Sequence, residues 1–135
     1  MEKIDFWKDK AKGTVDPFLF SKKAENLATA FAAENRDSSG QKANKRTQVR
    51  KFYDEVLRLD SLAQNKPDNW DIVLPQVHML TAKAAYARGR GLVSDNFLAF
   101  IKHSVGQIQK PEDLAVFANF FEAFMGFYRM YLPKG

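Results

Sequence analysis

Apolar residues return at intervals of three and four along most of the chain, the period of a helix with one buried face. Asp16-Pro17 reads as a helix start, an N-cap acid followed by a proline in the first turn. Behind it, Phe20, Ala24, Leu27, Ala28 and Phe31 form an inward stripe that runs to about Glu34. Residues 1–15 are charged, with Ile4, Phe6 and Trp7 as isolated apolar anchors, and are expected to form an N-terminal arm or short helix. Residues 35–41, beginning NRDSSG, contain turn formers and no apolar side chain, which predicts a mobile loop. From about Lys42 to Ala63 a second helix is predicted, with Val49, Phe52, Tyr53, Val56, Leu59 and Ala63 at helical spacing.

Gln64 to Asn69 reads as another loop. A third helix should start near Asn69 or Asp71, with Pro75 inside or just behind its first turn, where proline costs little. Val73, Val77, Leu80, Ala84 and Ala87 form its apolar stripe, and Gly89 and Gly91 end it. A fourth helix is expected after Ser94, with Phe97, Leu98, Ile101, Val105 and Ile108 facing inward. Pro111, followed by two acids against the positive end of a helix dipole, opens the fifth. Its Leu114, Phe117, Phe121, Met125 and Tyr128 make one stripe, and Phe120, Phe124, Phe127 and Tyr131 make a second. A helix apolar on two sides is central in a bundle or contributes to a subunit interface, and both roles are expected here. Period-two runs are lacking and β-branched residues are sparse. The pattern therefore predicts an all-α fold, a compact bundle of about five helices in a single domain over 1–135.

Composition narrows this picture without changing it. With 135 residues, 45% of them hydrophobic, the chain can bury a core without staples. No cysteine is present, so disulfides, thiolate metal sites and cysteine nucleophiles fall away together. No apolar run approaches the length of about 18 residues that a membrane-spanning helix needs. The first residues also lack the apolar stretch of a secretory signal, so a cytoplasmic location is expected.

Charge is more telling. The net charge is +5, and the whole excess lies in residues 41–90, which hold ten basic against five acidic side chains. Lys42, Lys45, Arg46, Arg50 and Lys51 come with no acid among them. Such clustering is the footprint of an anion-binding face, most often for nucleic acid; the competing reading is a solvated helix surface.

Catalytic constellations are hard to find. His78 and His103 fall on different helices, with neither an acid nor a second histidine at metal-ligand spacing. Ser38 and Ser39 sit in the loop, a poor place for a nucleophile that a base must hold. Asp54-Glu55 and Glu112-Asp113 are adjacent pairs whose members point about 100° apart on a helix, so neither pair converges on one bond. Arg88-Gly89-Arg90-Gly91 lacks the spacing of a phosphate-binding loop. It reads equally as a glycine helix stop or as two arginines that clamp a phosphate. Phe52, Tyr53 and Tyr86 lie near the basic residues, but their spacing favours core packing over base stacking, least clearly for Tyr86. Contact with nucleic acid should then run through phosphates and sugars, which gives affinity without base preference. No cofactor, no metal and no enzymatic activity are expected.

Three segments taken in order carry a family resemblance. Thr47-Gln48-Val49-Arg50-Lys51-Phe52-Tyr53 resembles the TQIRKFY-type signature of the small subunit of type III-A CRISPR–Cas (Csm) interference complexes, with Val49 where the family has Ile. Leu74 to Arg90 is similar to that family's Leu-Pro, Lys and Tyr-Ala-x-x-Arg block, and Phe120-Phe121-Glu122-Ala123 with Tyr128 to its closing helix. The resemblance covers roughly residues 45–131 and leaves the first 40 unmatched. It implies a small non-catalytic helical protein, present in more than one copy beside other Csm subunits, that helps hold target RNA along the guide (CRISPR) RNA. Carried onto matching positions, Arg50 and Lys51 would face the strand, with Lys83, Arg88 and Arg90 as companions. Lys45 and Arg46 join them from the helical pattern. The alternative is a helical DNA-binding regulator that reads a major groove with its basic 45–53 helix.

Overall fold

A computed structural model describes residues 3–35 and 42–133. Among the described residues five α-helices follow a short hairpin: α1 Ala24–Asn35, α2 Arg46–Asn65, α3 Trp70–Gly89, α4 Asp95–Gly106 and α5 Pro111–Tyr131. The expected helical bundle is present. The loop expected over 35–41 lies outside the described residues except for Asn35, which closes α1.

The N-terminal segment is neither a helix nor a loose arm. Strands β1 (Trp7–Asp9) and β2 (Thr14–Val15) pair antiparallel, and Gly13 at φ +67° completes the turn between them. Ile4 and Phe6 are buried, and the Phe6 ring stacks on Phe117 at 5.7 Å. The Gln107 side chain, just past the end of α4, accepts from the Phe6 N–H at 2.9 Å and donates to the Ile4 carbonyl at 2.8 Å, and so fastens the segment that leads into the hairpin at two backbone points. Strands of three and two residues are too short to leave a period in the sequence.

The start of the first helix also departs from the expected register. Leu19–Lys23 forms a π-helical turn before α1. Its wider spiral shifts the phase, which puts Leu19 in the core and leaves Phe20 exposed. From Ala24 onward the expected stripe holds: Ala24, Leu27, Ala28 and Phe31 are all buried.

Helix α5 lies at the centre, against α1, α2 and the π-helical turn, while α3 packs on α4 and α2. The two expected stripes of α5 are covered for most of their length: Phe117, Phe120, Phe121, Phe124 and Tyr128 are fully buried, while Met125, Phe127 and Tyr131 are half-buried. Phe100 of α4 joins this seam, with ring centroids 5.8–6.3 Å from Phe117, Phe120, Phe121 and Phe124. Every apolar position expected to face inward on α3 is buried, and Pro75 is accommodated near the start of that helix. Asp113 explains the start of α5, because its carboxylate accepts the N–H groups of Gln109 and Lys110.

Candidate nucleic-acid interface

The basic excess of the sequence gathers around α2. Val49, Phe52, Val56, Leu59 and Ala63 pin one face of this helix to the core, and successive residues turn by about 100°. Arg50 and Lys51, neighbours in sequence, therefore point to opposite flanks of the exposed crest. Arg46 and Arg50 stand on the α5 side and Lys51 on the α3 side, and each flank holds a cavity.

The α2–α5 cavity, about 340 Å³, is lined by Arg46, Thr47, Arg50, Tyr53, Met125, Gly126 and Arg129. Arg46 donates to the Pro133 carbonyl at 2.7 Å, which ties the end of the described chain to the first turn of α2. Its Nε is buried and meets no partner among the described residues. Among the described residues Arg50 makes a loose contact to Asp54, at 3.9 Å between exposed side chains. Burial, with Glu122 and Asp54 nearby, raises the Tyr53 pKa, so its hydroxyl stays protonated and able to donate. Arg129 was not foreseen: it sits in a stretch with no charge excess, and only the packing of α5 on α2 brings it here.

The α2–α3 cavity, about 320 Å³, gathers Lys51, Lys83 and Arg90 around an apolar floor that includes Phe52, Leu80 and Leu92. Lys83 and Arg90, the latter just past the end of α3, are about two helical turns apart on the same side. Among the described residues one acid lines this groove. Glu55 accepts two hydrogen bonds from Arg58, at 2.8 and 2.9 Å, and one from Lys83 at 3.2 Å. These donors, Arg58 first, hold its pKa down to about 2.

Arg88 is placed apart from the companions expected for it. Five residues beyond Lys83, it leaves the helix on the side of α4, where it pairs with Asp95 across an exposed surface. That pair lowers the Asp95 pKa and raises that of Arg88. Of the two readings of Arg88-Gly89-Arg90-Gly91, the helix stop is realised at Gly91. Its φ of +74° and the 2.9 Å bond from the Leu92 N–H to the Ala87 carbonyl form a Schellman-type ending. The two arginines diverge instead of closing on one point. Lys45 is exposed at the N-terminus of α2.

One residue that the sequence pattern did not single out sets this geometry. Asn44, fully buried at φ +60°, bridges the segments that lead into α2 and out of α3. Its N–H donates to the Leu92 carbonyl at 3.0 Å, and its side-chain oxygen accepts the Ser94 N–H at 2.8 Å. Its amide nitrogen donates to Ser94 Oγ and Glu34, and its carbonyl accepts the Tyr128 hydroxyl. The only sequence signal is an asparagine at a loop's end, where asparagine tolerates the left-handed conformation.

The aromatics divide. Phe52 is buried and Tyr53 half-buried against Phe121, as their spacing suggested, but Tyr86 is 70% exposed at the α2–α3 groove. Among the described residues no group of three or more His, Asp or Glu side chains is placed to hold a metal ion, and no helix is long and apolar enough to cross a membrane.

A family model described as Csm2 Type III-A matches residues 19–134. No curated protein and no solved structure matches the chain.

Proposed function

The chain belongs to the Csm2 type III-A family, the small subunit of type III-A CRISPR–Cas complexes, and from that premise we propose that it is a non-catalytic RNA-binding subunit that grips the backbone of target RNA along the guide. The observation that carries this reading is the pair of cationic cavities on the two flanks of α2. Arg46 and Arg50 with Arg129 on one side, and Lys51 with Lys83 and Arg90 on the other, form a band across a single helix. Guanidinium and ammonium groups at this density suit successive phosphates, and the arginines can meet them through paired hydrogen bonds. Sequence would be read by pairing between guide and target, and the subunit would contribute affinity and register alone. It would work in the cytoplasm, beside the other Csm subunits and further copies of itself.

Fluorescence anisotropy of the full chain with unrelated RNA sequences tests the reading. If about four phosphates are neutralised, the logarithm of affinity should fall with the logarithm of salt at a slope of about −3. Arg50→Ala and Lys51→Ala should weaken all sequences alike, and each should flatten the slope by about 0.7. Arg88→Ala, engaged with Asp95 outside both cavities, should change affinity less than either. Affinity independent of salt, or tied to one RNA sequence, would reject the mechanism. Strong preference for a particular duplex DNA would favour a DNA-binding regulator.

A further inference from the structure

We propose that the α2–α3 groove takes one unpaired nucleobase of the bound RNA, stacked on the ring of Tyr86. This inference rests on the backbone-grip reading and adds a contact of a different physical kind.

The inward stripe of α3 runs through Leu80, Ala84 and Ala87, and Tyr86, about 100° away from Ala87, has no part in it. Its ring is 70% exposed, more than any other large apolar side chain among the described residues. An aromatic held in water forgoes the stabilisation that burial would give it, and nothing in the folding of α3 calls for one here. Its surroundings supply a use. Lys51, Lys83 and Arg90 line the same groove, and the Arg90 guanidinium carbon lies 5.8 Å from the ring centroid. Phe52, Leu80, Ala87 and Leu92 make a greasy floor, and the Gln48 amide stands at the wall as a polar contact.

Ile72 and Met79 are also exposed, two heptads and one heptad before Tyr86 on the same side of α3. A protein partner could use that ridge. At Tyr86, however, the occupant must suit an aromatic face and a rim of net positive charge together, where Lys51, Lys83 and Arg90 stand against the one carboxylate of Glu55, which Lys83 already meets at 3.2 Å. A nucleotide does so with one planar apolar ring and one phosphate, and the volume of about 320 Å³ lies at the small end of ligand pockets, about 300–1,000 Å³. A base already paired in a helix offers only its edge, so the nucleotide that enters must be out of the stack.

The test uses the full chain and a single-stranded RNA of mixed sequence that carries 2-aminopurine, whose emission is quenched on stacking. Anisotropy and emission are read across a salt series for the wild type, Tyr86→Ala and Tyr86→Phe, and melting curves confirm that each variant folds. Wild type should quench the probe. Tyr86→Ala should lose about 5- to 150-fold in affinity, the range for one stacked base, with the salt slope unchanged and the quenching gone. Tyr86→Phe should keep both within about twofold, because the face and not the hydroxyl makes the contact. An oligomer of abasic ribose phosphate should bind wild type and Tyr86→Ala equally.

Wild-type affinity in Tyr86→Ala overturns the proposal. So does a loss that comes with a shallower salt slope, since the ring would then act only by holding Arg90. Unchanged RNA affinity with loss of a Csm subunit from the purified complex would assign the ring to a protein contact. If Lys51→Ala and Lys83→Ala leave RNA binding unaltered, or wild type binds no RNA at low salt, the backbone-grip reading fails as well. If those variants weaken binding and Tyr86→Ala does not, stacking alone fails.

Discussion

Glu55 sets how cationic the α2–α3 groove is at rest. Its carboxylate engages Arg58 and Lys83 and so occupies the place a phosphate would take beside Lys83. The bond to Arg58, helped by Lys83, lowers its pKa from 4.5 to about 2, and the direction fixes the pH dependence. Because the folded state favours the ionised form, the stabilisation from this cluster is whole above about pH 4.5 and drains away as pH falls toward about 2. In Glu55→Gln, thermal melts should lose less stability across that window than the wild type does. The same variant should bind RNA several-fold more tightly at low salt, as anisotropy would show, because Lys83 no longer has an internal rival. Asn44 acts by position, with no reach into either groove. Asn44→Ala strands the Ser94 N–H and leaves at a left-handed φ a residue that lacks asparagine's tolerance of it, and should cost about 2–4 kcal/mol in urea unfolding. Asn44→Gly relieves the backbone but still loses the side-chain bonds, so it should fall between the two.

At the scale of elements, helical periodicity was readable wherever a single buried face governed the choice of residue. The stripe of α3 and most of those of α2 and α4 are buried as their spacing implied, with Tyr53 and Leu98 half-buried and Ile108 just past the end of α4, because a solvated helix on a core leaves little freedom at those positions. Leu19 and Phe20 exchanged roles because the π-helical turn alters the phase, and a regular template carries no sign of it. The hairpin escaped notice because two very short strands hold too few residues for alternation to show. Phe100 escaped for the opposite reason. It lies beside the expected stripe of α4, yet it meets rings from α1 and α5 at once and is almost wholly buried. Phe100→Ala would leave a cavity in the middle of that seam, and chemical denaturation should register a loss of about 3–5 kcal/mol.

At the scale of the molecule, the basic segments were legible as charge, but their arrangement was not. Nothing in the order of residues tells which of Arg50 and Lys51 faces α5 and which faces α3. Arg88 and Arg90 diverge, although they are two residues apart, and Arg129 arrives from a neutral stretch more than 75 residues beyond Arg50. Tertiary packing made both cavities, and only charge density hinted at them.

The enclosure of α5 also bears on how the subunit reaches its place. With the aromatic seam of α5 already covered by α1, α2 and the π-helical turn, and only Met130 of its large apolar side chains well exposed among the described residues, that seam need not be withdrawn or traded when neighbours of the Csm complex arrive. The molecule can join them as a prefabricated part, at a pace governed by collision and orientation, with no wait for a rearrangement.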